Sequence, residues 1–235
     1  MRTYRERVEA LTTLAPDLWV ATRPLPLAVG DIGTRMTVVR LADGGLFLHS
    51  PVRLDDDTRA ALDAIGPVRC VVAPSKVHHF FVGAYAAAYP QARLFAAPGL
   101  AEKRKDLRFH AVLDDAAPPE WRGTLEQHLF RGTTALNEVV FFHPRSRSLL
   151  LTDLAFNMVR PAASLRARLF TRLVGAVGRF GPHRVVRLAI RDRGAARASV
   201  QHLLGWDFDR VIVTHGDVLE SGGKQRFVEA FAFLG

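Results

Sequence analysis

One cysteine, four lysines and no uncharged stretch of about 18 residues set the first limits on this 235-residue chain. A lone thiol, Cys70, cannot close an internal disulfide, which removes the small disulfide-stapled scaffolds and points to a reducing compartment. Cys70 stands inside the apolar run Val68-Arg69-Cys70-Val71-Val72, where it reads as a small buried hydrophobe and not as a nucleophile. The opening, Met1 to Glu9, is charged throughout and lacks the apolar core of a signal peptide. The expected location is therefore cytoplasmic. Four common catalytic signatures are also missing: the Gly-rich phosphate loop, the Gly-x-Ser-x-Gly elbow, the Cys-x-x-Cys pair and the His-Glu-x-x-His helix.

What is present is the material of a folded α/β protein. The chain is 49% hydrophobic and 23% charged, enough apolar surface for one large core, and no Pro-, Gly- or Ser-rich linker divides it; residues 1–235 read as one domain. The net charge of +9 is concentrated. Residues 160–197 hold ten arginines against one acid, Asp192, and so carry the whole excess. A nucleic-acid binder spreads basic residues along a face and interleaves aromatics, so no specific nucleic-acid partner is expected. Arg166, Arg168 and Arg172 alternate with Leu165, Leu169, Phe170, Leu173 and Val174. That is the pattern of a basic amphipathic helix suited to an anionic ligand or a membrane surface. It also suits an ordinary solvated face, or a lid whose arginines favour a carboxylate- or phosphate-bearing substrate.

The hydrophobic pattern predicts strands at 19–22, 36–41 and 46–49, with Asp43-Gly44-Gly45 as a hairpin turn. A helix over 55–65, capped by Asp56 or Asp57 and stopped by Gly66-Pro67, precedes a strand at 68–73. The loop Pro74 to Gly83 then opens a helix to about Tyr89, with a strand at 92–96 and a short helix from Pro98. This is a βαβ unit, and ligands of α/β sheets gather at the C-terminal ends of its strands. Further on, 137–143 and 148–153 form a hairpin; the arginine-rich insert at about 160–200 reads as two helices broken near Gly181-Pro182; and strand 210–214, loop His215-Gly216-Asp217 and helix 224–233 close the chain. The pair Gly30-x-x-Gly33 reads as a turn, and His49 as a turn residue.

Three strand ends thus present metal-ligand types: His78-His79, Asp153 and His215. Imidazole and carboxylate together suit zinc, iron or manganese. An alternative is a buried hydrogen-bond and ion-pair network without catalysis.

The order of these features resembles the metallo-β-lactamase fold superfamily. Leu149-Leu150-Leu151-Thr152-Asp153-Leu154 looks like its carboxylate-bearing segment, Val211-Ile212-Val213-Thr214-His215-Gly216 like the segment with its last histidine ligand, and Pro74 to Gly83 takes the place of its His-x-His-x-Asp-His motif. The departures are that Ser75, Val77 and Phe80 stand near positions where histidine is expected, and that Thr134 stands where the next histidine would be. The pattern is similar to a degenerate bacterial branch that keeps His-His, Glu, Thr-Asp and His-Gly. The resemblance implies an αββα sandwich of two mixed sheets and a reduced site for at most one ion of zinc, iron or manganese. The implied ligands are His79 (or His78), Asp153 and His215. Glu138 is a fourth ligand or base, and His78 a base if His79 is the ligand. The implied activity is metal-dependent hydrolysis of an ester, lactone or phosphoester in a small substrate, with Arg166 and Arg172 as candidates to hold an anionic one. The alternatives are a non-catalytic binding descendant of the fold, or an anionic-ligand or membrane-surface binder acting through 160–197.

Overall fold

The computed structural model describes residues 9–159 and 164–235. The chain opens with β1 (Thr12–Ala15) and β2 (Leu18–Arg23), makes the small hairpin β3 (Pro26–Leu27) and β4 (Gly30–Asp31), and returns as β5 (Thr34–Arg40) and β6 (Leu46–His49). Helix α1 (Asp56–Ile65), β7 (Val68–Ala73), α2 (Val82–Ala88), β8 (Arg93–Ala96) and β9 (Ala111–Val112) complete the first half. The second half runs β10 (Glu126–Leu129), β11 (Val139–His143), β12 (Ser148–Leu151), β13 (Phe156–Asn157), α3 (Leu165–Leu173), β14 (Phe180–Gly181), α4 (Arg184–Ala189), α5 (Arg193–Leu204), β15 (Arg210–Val213) and α6 (Gly223–Phe231). A seven-stranded sheet has the order β1-β2-β5-β6-β7-β8-β9, and a four-stranded sheet the order β10-β11-β12-β15. Both are mixed: β6-β7-β8-β9 and β12-β15 pair in parallel, the rest antiparallel.

Side-chain alternation along these strands builds the layers. On β11 and β12, Val139, Phe141 and Leu150 face Phe47, Cys70, Val72 and Phe95 of the larger sheet, with Trp121 among them. The Trp121 ring meets Phe95 at 4.6 Å and Phe47 at 5.0 Å, edge to face, and its Nε1 donates to Gln127 Oε1 at 2.9 Å. The opposite parity, Val140, Phe142, Leu149 and Leu151, packs under α5 and α6 through Ala196, Val200, Leu203, Phe227 and Phe231. Behind the larger sheet, Val38, Leu48, Val71 and Ala73 pack under Leu62 of α1 and Val82 and Tyr85 of α2. The result is helix, sheet, sheet, helix: the αββα arrangement implied by the sequence.

Local differences from the sequence expectations have clear causes. The cap of α1 is Asp55, not Asp56 or Asp57; its Oδ1 accepts from the Thr58 amide at 2.7 Å while its Oδ2 takes Arg23 Nε at 2.8 Å. Burial would raise this carboxyl, but the hydrogen bonds from Arg23 and Thr58 outweigh it and hold it at about 2. After Pro98 there are turns and no helix. Between 164 and 204 there are three helices in place of two: the expected break is present, with Phe180–Gly181 paired to Phe156–Asn157, and a second one separates α4 from α5, where Asp192 caps α5 by accepting from the Ala195 amide at 2.9 Å.

His49, read as a turn residue, lies at the end of β6, 1% exposed, its ring 5.4 Å from that of Phe141. Neither ring nitrogen has a hydrogen-bond partner among the described residues. Burial, with the nearby His78 adding to it, pushes its pKa from an ordinary 6.5 down to about 3. The folded chain therefore keeps His49 neutral where the unfolded chain protonates it, so stability is full above about pH 6.5 and declines as pH falls toward 3. The expected slope from this one group is about 1.4 kcal/mol per pH unit. Denaturant unfolding at pH 7 and pH 5 should show the loss, and His49→Phe should flatten the slope; an unchanged slope would exclude His49 as its source.

Candidate metal centre

The centre forms where the two sheets end on the same edge. Asp153 follows β12, and His215 follows its parallel neighbour β15, so the pairing of Leu151 with Val213 places both residues two positions beyond one register point. His78 comes from the loop after β7 of the other sheet. The three side chains converge: all their potential ligand atoms lie within 4.8 Å of one another. His78 Nε2 is 3.2 Å from Asp153 Oδ2, and His215 Nε2 is 3.5 Å from Asp153 Oδ1.

Each member is held from behind. His215 Nδ1 donates to the Gly33 carbonyl at 2.7 Å; a carbonyl only accepts, so Nδ1 carries a proton and Nε2, facing Asp153, is the nitrogen left to exchange its proton for a metal ion. Ser50 Oγ lies 2.8 Å from His78 Nδ1, and Thr214 Oγ1 lies 3.5 Å from its Nε2. Ser50 adopts a left-handed φ of 54°, a conformation that costs energy in a non-glycine residue and gathers at functional sites. Asp153 owes its position to Glu138. That carboxylate is fully buried and accepts from the amides of Thr152 at 2.6 Å and Leu154 at 2.8 Å, the two residues flanking Asp153.

The charges follow from this packing. Burial would raise the Asp153 carboxyl, but the His78 charge and hydrogen bonds from His215 and His78 hold it well below the usual carboxylate range. Burial would lower His78, but Asp153 outweighs it and moves it upward. Burial pushes Glu138 up to about 7, with the Asp153 charge adding to it against the amide hydrogen bonds. An anionic carboxylate between two imidazole nitrogens, each imidazole anchored at its other nitrogen, is the donor chemistry of a zinc-class ion. The three residues fit such an ion.

Gly216 fixes the backbone directly after His215. Its φ is +96°, and a Cβ there would fall 2.2 Å from the Asn157 carbonyl oxygen. That close approach lets Asn157 N donate to the His215 carbonyl at 3.1 Å and Asp217 N to the Asn157 carbonyl at 2.8 Å. Gly216→Ala should therefore cost about 2–3 kcal/mol of stability through strain and displaced backbone. Thermal melting of the variant reads it; an unchanged melting temperature would mean that β13 is free to move away.

The sequence reading is met in part. Asp153 and His215 are in the cluster, and of the two adjacent histidines it is His78 that joins them. His79 lies outside the cluster. Arg104 Nη1 sits 3.0 Å from His79 Nδ1 and can only donate. Nδ1 must then accept, which puts the ring proton on Nε2 and leaves no lone pair there for a metal. Burial, with Lys103 and Arg104 adding to it, lowers His79 to about 4 and keeps it neutral. Its Nε2 is buried without a partner among the described residues. Glu138 lies outside the cluster, with one oxygen accepting from the Thr152 amide and the other from the Leu154 amide. Arg166 and Arg172 are exposed on α3 and are not among the residues that line the site cavity; Arg160 lies outside the described residues. Sequence reasoning missed Ser50 and Gly33. The Gly30-x-x-Gly33 turn gave no sign that a carbonyl in it orients a histidine 182 residues away.

A cavity of about 220 Å³ adjoins the cluster. Its walls are mainly apolar, with Leu25, Leu27, Ile32, Pro51, Val77, Phe80 and Phe81; Thr34 and His79 add polar groups, and His78, Asp153 and His215 are also part of the lining. Ligand sites are commonly of this kind, an apolar cleft with a few convergent polar groups.

Comparison with known proteins agrees with the fold. Solved structures similar over nearly the whole chain include the metallo-β-lactamase from Hirschia baltica, at TM-score 0.64 and 15% identity, covering 95% of this chain and 96% of that one. The metallo-β-lactamase from Erythrobacter litoralis is similar at TM-score 0.64 and 17% identity, with coverage of 95% and 96%. FIM-1 from Pseudomonas aeruginosa, in its mono-zinc form, is similar at TM-score 0.64 and 14% identity, with coverage of 95% and 93%. No curated protein matches the sequence. The fold is that of the metallo-β-lactamases, and the chain, matched over residues 17–169, belongs to the family described as Domain of unknown function (DUF4336).

Proposed function

We propose that the chain is a metal-dependent hydrolase that uses a single zinc-class ion held by His78, Asp153 and His215. The observation that carries this reading is the convergence of two imidazole Nε2 atoms on one ionised carboxylate at the base of an apolar cavity. The mono-zinc form of FIM-1, a protein of the same fold, supports one ion as sufficient for such an edge site. A bound ion would supply Lewis acidity, polarising a carbonyl or phosphoryl oxygen and lowering the pKa of water.

The chain's own groups account for the rest. Gly33 and Ser50 fix the two imidazoles, and Glu138 fixes the loop that carries Asp153. The apolar walls hold the non-reacting part of an ester, lactone or phosphoester and keep bulk water away from it. His79 lines the cavity as a neutral imidazole with its proton on Nε2, and it serves as hydrogen-bond donor to the substrate oxygen that gains charge. Arg104 positions this donor by holding its tautomer. With no arginine in the cavity lining, a compact apolar substrate is favoured over a highly charged one.

The test is turnover of an ester, lactone and phosphodiester panel by chelator-stripped protein before and after zinc is restored. Activity should return with zinc on at least one class and stay absent in His215→Ala. His79→Phe should keep its metal and lose about 100-fold in kcat, whereas His79→Gln, which retains an N–H donor, should lose less. A zinc-loaded protein inert on all three classes would contradict hydrolysis, and full activity in His79→Phe would remove the donor role.

A further inference from the structure

Helix α3 carries its hydrophobic residues on the outside. Leu165, Leu169 and Leu173 recur every fourth residue and are 79%, 69% and 69% exposed, while the face turned to the protein carries Ala167, Thr171, the half-buried Phe170 and the following Val174. A helix that only had to pack on this fold would place leucines inward and polar residues outward. The exposed stripe continues onto α4. Arg184 at its start donates backbone N–H to the Val174 carbonyl and Nη1 to the Leu173 carbonyl, and Val185 and Leu188 are exposed on α4. Scattered exposed leucines need no explanation, but a contiguous stripe across two adjoining helices does.

The charge around the stripe is of one sign. Residues 164–197 contain nine arginines and one acid, Asp192, and Arg166 and Arg172 stand exposed beside the leucines. The stripe also starts next to the site cavity. Gly30 of the β3–β4 hairpin lies so close to the start of α3 that a Cβ would fall within 3 Å of Ser164 and Ala167, and its cross-strand partner Leu27, itself 40% exposed, lines the cavity. We propose that α3 and α4 form a docking face for an anionic phospholipid bilayer, with the leucines entering the headgroup boundary and the arginines pairing with lipid phosphates.

The observations favour a bilayer over a second copy of the chain. A symmetric dimer through this face would set its exposed arginines, Arg166, Arg172 and Arg184 among them, against their own copies, and like charges across an interface oppose association. Nor does the face belong to a membrane span: among the described residues no helix is long and apolar enough to cross a membrane. This inference stands apart from the metal centre, so either can fail without the other.

The test is co-sedimentation of the protein as purified with vesicles of phosphatidylcholine alone or mixed with phosphatidylglycerol. Binding should be at least about tenfold stronger to the anionic vesicles and should weaken as salt is raised. Leu165→Ser/Leu169→Ser/Leu173→Ser, and separately Arg166→Glu/Arg172→Glu, should each reduce it at least about tenfold with unfolding curves unchanged, because all five positions are exposed. Protein that stays in the supernatant with anionic vesicles would overturn the proposal. So would a leucine variant that still pellets like the parent. A parent that is dimeric by sedimentation velocity, made monomeric by the leucine substitutions and indifferent to vesicles, would overturn it in favour of self-association.

Discussion

Asp153→Ala is expected to leave a folded chain that retains no zinc through dialysis, with affinity lowered by more than about 100-fold. The bound on the size comes from chemistry: altering only the groups behind metal ligands costs about 10–100-fold, and this change removes a ligand and the one negative charge between two imidazoles. The same substitution should be visible without metal. His78 is moved upward because Asp153, aided by the Glu138 charge, outweighs its burial; with the Asp153 carboxylate gone only Glu138 opposes burial, and the His78 pKa should fall. Proton NMR of the metal-free protein across about pH 5–8, the range where histidines titrate, would follow the ring. A His78 that titrates identically in parent and variant would show that the contact with Asp153 does not exist in solution.

Glu138→Ala is expected to cost about 3 kcal/mol of stability, the largest single loss outside the apolar core. The carboxylate satisfies the amides of Thr152 and Leu154, and two buried N–H groups left without acceptors cost about 1–3 kcal/mol each. Part of that is returned, because the carboxyl pays for its own burial, as its pKa of about 7 shows. For a chain of this size the fall in melting temperature should be roughly 6–12 °C. Metal affinity should drop as well, since the freed loop carries Asp153. A variant with parental stability and zinc binding would mean that water replaces the carboxylate without loss.

Glu138 also shows where a sequence stops being legible. The resemblance to a branch that keeps a Glu with Thr-Asp and His-Gly marked it as part of the site, but a ligand, a base and a positioning group are the same letter. Only the two amide hydrogen bonds separate them. The same limit applied to His78 and His79. Adjacent residues of a loop point in different directions, and the register that sends one to Asp153 and the other to Arg104 depends on a contact 25 residues away. The layers were readable because alternation on β11 and β12 and the glycines and prolines at segment ends are local signals. Asp153 and His215 were readable for a related reason: both follow short apolar strands that have to be buried, so their side chains emerge at a sheet end. Ser50 and Gly33 act through an unusual φ and a carbonyl, and neither leaves a mark in residue type. The reversal of α3 was invisible for the opposite reason. Its leucine and arginine spacing is that of any amphipathic helix, and the pattern does not say which side faces the protein.

The central claim, that His78, Asp153 and His215 together hold one catalytic ion, is tested most directly by calorimetric titration of zinc into chelator-stripped protein at neutral pH, with His215→Ala in parallel. The account predicts saturation at one zinc per chain in the parent and no saturable binding in the variant. No binding by the parent, two ions per chain, or one ion bound equally well by His215→Ala would contradict it.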